Sequence, residues 1–430
     1  MNQDFDKLVT AITNGLASFK AKYLATATTP PVNTVPMPTQ GTSVTDAQGN
    51  VYSITAGKVY ESGKLVGFTD KVTLLVYANS KVYQQNSAGN WWYWDGLTNW
   101  IATTDPRPTA SSVTTPPVVT NPPVTTPSST GHAFGFAANA FQSLTSAQQT
   151  SWLADFKNLG VTWLRMDANW ANIGSSNWGS LDQAVKAATA AGVNVLLICD
   201  GNNSGGMFNA PDPTAFAAYC KMVVSRYAPM GVHTYEVWNE ANNTAFWQPN
   251  PDPAQYTAVL KAAYPAIKSA DPASTVLGGG MCPCAIAPIT FLEGMYAAGA
   301  KGFFDALSLH PYTYPAAPDA GIRWQEMNST TPSIRSVMAA NDDSAKQIWV
   351  TEFGAPTSQY SNAVTEAVQA TQLAQAITDV KGYSWAGPMF IYTYLTAESD
   401  PQNNEDFFGI VHKDQTPKPA YAAIKTAIGA

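Results

Sequence analysis

From residue 131 to residue 430 the chain alternates eight short apolar runs of β type with eight Ala-rich amphipathic stretches. The β-type runs fall at 133–137, 162–166, 194–198, 234–238, 275–279, 304–309, 348–351 and 388–392. The helical stretches fall near 146–158, 180–191, 212–227, 254–269, 289–298, 331–340, 363–380 and 418–428. Strands that are apolar throughout are buried on both faces, and parallel strands need a crossover helix between them. Eight such units in about 300 residues predict an α/β fold whose parallel sheet closes on itself, a (β/α)₈ TIM barrel. An open doubly wound sheet would need fewer units and a Gly-rich phosphate turn. Gly278-Gly279-Gly280 follows a strand but lacks the spacing of such a turn.

Ahead of the barrel the composition changes twice. Residues 106–130 are a Pro/Thr tract, with Thr114-Thr115-Pro116-Pro117-Val118-Val119 at its centre, and residues 28–40 are a shorter one. Such segments cannot bury a core and act as semi-rigid linkers. Residues 41–105, between them, read as a small β module: Val51-Tyr52-Ser53-Ile54, Lys58-Val59-Tyr60 and Lys81-Val82-Tyr83 are parted by Gly, Asn and Ser turns. Its Trp91-Trp92-Tyr93-Trp94 run, with Trp100, is a dense aromatic group. It serves either as the core of a tiny domain or as a platform on which sugar rings stack; a virion or cell-wall attachment module is a third reading. Residues 1–27 predict an amphipathic helix whose Phe5, Val9, Ile12, Leu16, Phe19 and Tyr23 step by fours and threes. That seam over residues 5–23 would make the protein a homo-oligomer, although a helix docked on a neighbour has the same pattern.

Only 12% of the residues are charged, against 13 Trp, 19 Tyr and 17 Phe, which suits work on neutral, ring-shaped ligands outside the cell. A net charge of −7 argues against nucleic acid as a partner, and no apolar run reaches the length of a membrane span. The start, Met1-Asn2-Gln3-Asp4-Phe5-Asp6, is acidic where a secretory signal is basic. The expected location is therefore extracellular, cell-surface or virion-associated, reached after loss of a leader or by lysis. Cys199, Cys220, Cys282 and Cys284 read as structural thiols or one or two disulfides, because Cys282-Pro283-Cys284 is too short for a usual metal knuckle. No metal or other cofactor is expected.

Barrel chemistry gathers at the C-terminal strand ends. Strand two ends in Arg165-Met166-Asp167-Ala168-Asn169-Trp170 and strand four in Trp238-Asn239-Glu240. Strand six ends in His310-Pro311-Tyr312, strand seven in Thr351-Glu352-Phe353-Gly354, and strand eight in Tyr392-Thr393-Tyr394. Two carboxylates on separate strands are the minimum for cleaving a glycosidic bond, one as acid/base and one as nucleophile.

In this register the chain over 131–430 resembles the large clan of retaining glycoside hydrolases with a (β/α)₈ fold. In that clan an Asn-Glu pair ends strand four and the nucleophilic Glu ends strand seven. The His310-Pro311-Tyr312 run extends the resemblance, which is nearest to family 39 and neighbouring cellulase-like families, β-xylosidases and exopolysaccharide hydrolases among them. It implies that Glu240 is the general acid/base, Glu352 the nucleophile, and Asn239 the residue that holds the sugar 2-hydroxyl. Arg165 and Tyr312 would keep Glu352 ionised, and His310 would support the pair or touch substrate. Further contacts are expected from Asp167, Trp170, Trp324 and Tyr394. Of Trp170, Trp178, Trp247, Trp324 and Trp385, in or near the rim loops, some would be core and several together would form stacking subsites for an extended polysaccharide. One departure stands out: many members end strand eight in Trp, where this chain has Tyr. The expected activity is endo-acting, retaining β-glycoside hydrolysis of a polysaccharide or oligosaccharide. An exo-acting β-xylosidase-like enzyme, a non-catalytic wall- or capsule-binding protein and a structural virion component are the alternatives.

Overall fold

The computed structural model describes residues 39–45, 50–78, 81–94, 100–103, 132–174, 176–204 and 206–430. The helix expected over 1–27, its seam, and the linkers over 28–38 and 106–130 lie outside the described residues. The chain divides into two compact units, Met1–Asn121 and Pro122–Ala430.

In the first unit two antiparallel sheets are described. One runs Ser43–Thr45, Val51–Thr55, Lys58–Glu61 and Lys64–Leu65 in sequence order. The other orders Thr39–Gly41, Val72–Ala78, Lys81–Asn86, Trp91–Trp94 and Trp100–Thr103, so its ladder begins inside the stretch read as linker. Alternation splits the Trp91–Trp94 strand between two clusters. Trp94 joins Tyr52, Val59, Leu75 and Val82, whereas Trp91 and Tyr93 pack with Val76 and Tyr83. Trp94 and Trp100 lie in contact, ring centroids 5.2 Å apart. Much of the module's aromatic density is therefore core.

The second unit is a closed barrel of eight parallel strands. These are β1 (Phe134–Ala137), β2 (Trp163–Asn169), β3 (Asn194–Asp200), β4 (Thr234–Val237), β5 (Thr275–Met281), β6 (Ala306–Leu309), β7 (Ile348–Phe353) and β8 (Ala386–Ile391). β8 pairs with β1, Gly135 opposite Phe390, which closes the ring the alternating sequence predicts. The eight main helices are α1 (Ser146–Leu159), α2 (Gly179–Ala190), α3 (Pro213–Tyr227), α4 (Pro253–Ala270), α5 (Pro288–Ala297), α6 (Ile334–Ala340), α7 (Glu366–Gly382) and α8 (Pro419–Ile428). Local chemistry sets where they start. Thr145 and Gln148 close a capping box on α1, and Asp212 and Asp252 cap α3 and α4 just before a first-turn Pro. Among the described residues no helix is long and apolar enough to cross a membrane.

Two cores result. Between strands and helices lies a large apolar layer that includes Phe136, Phe156, Leu164, Leu197, Tyr256 and Ile377. Inside the barrel, Ala137, Trp163, Leu196, Leu277, Ala306, Trp349 and Phe390 form a plug beneath the strand ends. Trp349 fits because β8 carries Gly387 beside it: a Cβ there would sit 2.2 Å from the indole Cδ1 and Nε1. Gly387→Ala is therefore expected to overpack the barrel floor and destabilise the fold by about 1–3 kcal/mol. Urea unfolding followed by tryptophan fluorescence measures this as a lower midpoint at unchanged slope.

Candidate active site

Strand periodicity delivers the polar residues to the space above this plug. On β2, Trp163, Arg165 and Asp167 alternate inward, so the apolar floor gives way to a guanidinium and then a carboxylate. On β4, Glu236 points inward and is fully buried. β7 breaks the alternation: its pairing with β8 shifts register between Val350 and Phe353, and both Thr351 and Glu352 reach inward partners.

Arg165 is the hub. Its Nε donates to Glu236 Oε2 at 2.7 Å, Nη1 to Glu352 Oε1 at 2.5 Å and Nη2 to Asn239 Oδ1 at 2.9 Å. Burial works against its charge, but Glu236 and Glu352 outweigh that cost and raise the guanidinium above its ordinary value. The other oxygen of Glu236 accepts from Ser308 Oγ at 2.6 Å. This buried acid was not singled out from the sequence. The signal was there, since a charge inside an apolar strand has to be paired.

Glu352 is half-buried and accepts from the Tyr312 hydroxyl at 2.9 Å as well as from Arg165. Burial alone would raise its carboxyl. The His310 ring, the Arg165 guanidinium and the Tyr312 hydroxyl reverse this and hold it below the ordinary carboxylate range.

Glu240 is held differently. After β4 the backbone turns through left-handed conformations at Trp238 (φ 67°) and Glu240 (φ 49°), and the Glu240 N–H donates to Gly280 O at 3.0 Å. Non-glycine residues in this region carry backbone strain, which recurs at functional sites. Gly280 explains the Gly-Gly-Gly run: its φ is +59°, and a Cβ there would meet Glu236 Oε1 at 2.8 Å. The Glu240 carboxyl accepts from Asn243 Nδ2 at 2.8 Å and faces His310 Nδ1 at 2.9 Å. The opposite ring nitrogen, Nε2, lies 3.4 Å from Arg165 Nη2. A guanidinium can only donate, so Nε2 accepts and the ring proton sits on Nδ1, toward the carboxyls. That Nδ1 is also 3.5 Å from Glu352 Oε2. Beneath this loop the Asn242 amide spans Cys282 and Ile286 carbonyls, next to the one disulfide, Cys282–Cys284; Cys199 and Cys220 are buried free thiols.

Of the residues singled out from sequence, Arg165, Asn239, Glu240, His310, Tyr312 and Glu352 come together in one bonded group. Asp167 stands two residues above Arg165, where Asn139 of the loop after β1 donates to its carboxylate and accepts from its backbone N–H. Trp170 stays at the rim, half-buried and stacked on Tyr219 with ring centroids 5.1 Å apart. Trp324 and Tyr394 do not join the group. Trp324 is buried behind β7, its ring 4.9 Å from that of Phe353. Tyr394 packs among Trp152, Phe136 and Phe156 and donates to Asp155, in the layer between barrel and α1. β8 ends at Ile391, so strand parity no longer governs residue 394. Tyr392 takes the inward position instead, its ring 6.4 Å from that of Tyr312 and 5.1 Å from that of Phe408.

The other tryptophans expected to stack on sugar are placed elsewhere. Trp178 and Trp247 are buried, and Trp385 stacks on Tyr383 just before β8, at the opposite rim. The half-buried aromatic surface beside the carboxyls is made by Tyr312, Tyr314 and Tyr392. One ligand atom from each of Glu240, His310 and Glu352 lies within 4.8 Å of the others, a spacing open to a divalent cation and equally to a sugar held between two carboxyls.

The family model described as Cellulase (glycosyl hydrolase family 5) matches residues 127–387. No curated protein sequence matches the chain. Among solved structures, a family 39 glycoside hydrolase from the gut symbiont Bacteroides cellulosilyticus is similar with a TM-score of 0.57 and 19% identity, over 92% of this chain and 78% of that one. A family 39 enzyme from Xanthomonas axonopodis pv. citri gives 0.54 at 18% identity, over 68% of this chain and 65% of that one. A monomeric beta-xylosidase from Caulobacter crescentus gives 0.53 at 18% identity, over 69% and 67%. At these identities the likeness is one of fold.

Tyr312→Phe removes one of the donors that favour the ionised form of Glu352, so this carboxyl rises toward its ordinary value. Activity that depends on the carboxylate is then lost at higher pH as the solution is acidified. The acid limb of the kcat/KM profile is expected to move up by about one pH unit, read against wild type.

Proposed function

The chain belongs to the cellulase family, glycosyl hydrolase family 5, and from that premise we propose that this O-glycosyl hydrolase cleaves a β-linked polysaccharide by double displacement with retention. The observation that carries the reading is the separation of the two carboxyls, whose nearest oxygens lie within 4.8 Å. Retention works with carboxyl groups roughly 5–5.5 Å apart, whereas inversion needs roughly 6.5–9.5 Å to admit a water.

Glu352 acts as the nucleophile, kept anionic by Arg165 and Tyr312. It attacks the anomeric carbon while Glu240 protonates the departing oxygen, and a glycosyl ester forms on Glu352. Glu240 then takes a proton from water, which displaces the ester and releases the sugar with its original configuration. Asn239, fixed by Arg165, meets the 2-hydroxyl. Tyr392 takes the platform position under the sugar.

Endo action is supported by the short connections after β1 and β5, over 138–145 and 282–287. An exo-acting reading draws on the long loops after β6 and β8, over 310–333 and 392–418, joined by Tyr314 and Phe408 with ring centroids 5.5 Å apart. Product sizes early in digestion decide: mixed lengths support endo cleavage, and a single small product supports exo cleavage. The route out of the cell and a polysaccharide role for the 41–105 module remain part of this proposal.

Glu352→Ala is expected to lose at least about 10³-fold in kcat and to regain part of it with azide, giving a glycosyl azide of inverted anomeric configuration. No azide product, or inversion by the wild-type enzyme in proton NMR of fresh digests, would overturn the double displacement. Glu240→Gln is expected to lose far more activity on poor leaving groups than on activated aryl glycosides. Equal losses on both would remove its acid role.

A further inference from the structure

The Glu240–Glu352 pair is bordered by acids that the cleavage steps do not employ. Asp167 stands above Arg165, and Asp200 ends β3, buried, with Oδ1 3.0 Å from Asn169 Nδ2. Glu405 arrives from the long loop after β8, exposed, with Oε2 accepting from the Tyr392 hydroxyl at 2.9 Å. Tyr392 in turn lies against Tyr312, which donates to the nucleophile. Glu405 is therefore two aromatic rings, Tyr392 and Tyr312, away from the reacting carboxylate.

The Arg165 charge acts on Asp167 and Asp200, but it is shared with Glu236 and Glu352. Among the described residues no Lys or Arg forms a salt bridge with Asp167, Asp200 or Glu405. Arg165 spends its donors on Glu236, Glu352 and Asn239. In the loops at this rim Arg323 is paired with Glu326, Lys418 is buried on Thr357 Oγ1 at 2.8 Å, and Lys413 is exposed and forms no salt bridge with these acids. Burial pushes Asp167 up to about 6 against the pull of Arg165 and the Asn139 hydrogen bond, with Glu352 and Glu236 adding to the rise. Burial raises Asp200 as well, with Asp167 adding to it; Glu405, exposed but partly desolvated where it meets Tyr392, is raised too, with Glu352 and Glu240 adding to the effect. Acids held in this way are only partly countered, and a ligand could supply further positive charge.

We propose that the sugar chain accepted here carries free ammonium groups, an unacetylated amino-sugar polymer, and that uronate-bearing chains are excluded. Asp167 and Glu405 are the specificity-determining residues. Each keeps one carboxylate oxygen on a protein donor, Asn139 or Tyr392, and presents its charge to the cleft. An ammonium beside them gains two attractive partners, and a carboxylate meets the same two as repulsion in a partly water-excluded site. The inference rests on the glycosidase reading of this pair.

The test uses the full chain and soluble β-1,4 hexamers of glucose, glucosamine and glucuronate, with matched aminated and carboxylated forms of any other backbone found to be cleaved. At pH 6.5 and low salt, kcat/KM is expected to be highest for the aminated form, about tenfold lower for the neutral one and lower again for the carboxylated one. Glu405→Gln and Asp167→Asn should each cut the aminated-to-neutral ratio several-fold, and 0.5 M NaCl should compress it. A carboxylated form cleaved as well as the neutral one, or ratios unmoved in both variants, would overturn the proposal while leaving hydrolysis intact. Absence of turnover on every backbone, together with failure of azide rescue, would instead remove the glycosidase reading itself.

Discussion

Arg165 holds the site together, and it does so at a cost. Taking a guanidinium and a carboxylate out of water is expensive, and a buried pair repays this only where geometry is close and every remaining donor is used. Here the planar fork meets fixed acceptors: Glu236 on β4 at Nε, Glu352 on β7 at Nη1 and Asn239 after β4 at Nη2, with His310 facing the last. One side chain from β2 thereby positions groups from three other strands. Lysine offers one compact charge with no such fork and could not bridge these directions at once. Glu236 makes the arrangement durable. It neutralises the guanidinium from below, with Ser308 on its second oxygen, so that Arg165 need not bury Glu352 to be satisfied. The upper carboxylate stays half-buried and within reach of a ligand.

The barrel itself was legible because its signal is periodic and long. Eight apolar runs separated by amphipathic stretches leave one compact solution, and each observed strand overlaps the run expected for it. The bonded core of the site was legible for a related reason, since Arg165, Glu240, His310, Tyr312 and Glu352 all stand at strand ends. What failed was whatever depended on a loop. Asn139 reaches Asp167 across 28 positions of sequence through a turn without periodicity. Tyr392 and Tyr394 could not be told apart, because β8 stops at Ile391 and the two-residue alternation stops with it. Trp247 and Trp324 lie in loops long enough to bury side chains of their own, and an aromatic in such a loop is as often packing as surface.

The left-handed turns at Trp238 and Glu240 were equally invisible, because nothing in Trp-Asn-Glu announces positive φ. Their support comes from a different strand. Gly280 on β5 takes a positive φ and leaves room for Glu236, and its carbonyl receives the Glu240 N–H. Asn242, fully buried, then fastens the same loop to the backbone around Cys282 and Ile286. The strain is thus held by β5 and the loop after it, and the acid/base candidate is aimed from below as well as from its own strand.

The two carboxyls, alike in chemistry, end up with unlike partners, and the proposed double displacement needs that difference. Glu352 receives a full positive charge and a hydroxyl, donors that favour its anion before the ester forms. Glu240 receives an amide and a ring nitrogen in place of a guanidinium. Over the cycle the charge changes places: Glu352 becomes a neutral ester just as Glu240 becomes the carboxylate. His310 Nδ1 lies 2.9 Å from the Glu240 oxygen and 3.5 Å from the Glu352 oxygen, so a small tilt of the ring lets its proton follow the charge. Arg165 at Nε2 keeps the proton on the side where both carboxyls are, and the guanidinium that fixes Glu352 thereby also sets the donor shared with Glu240.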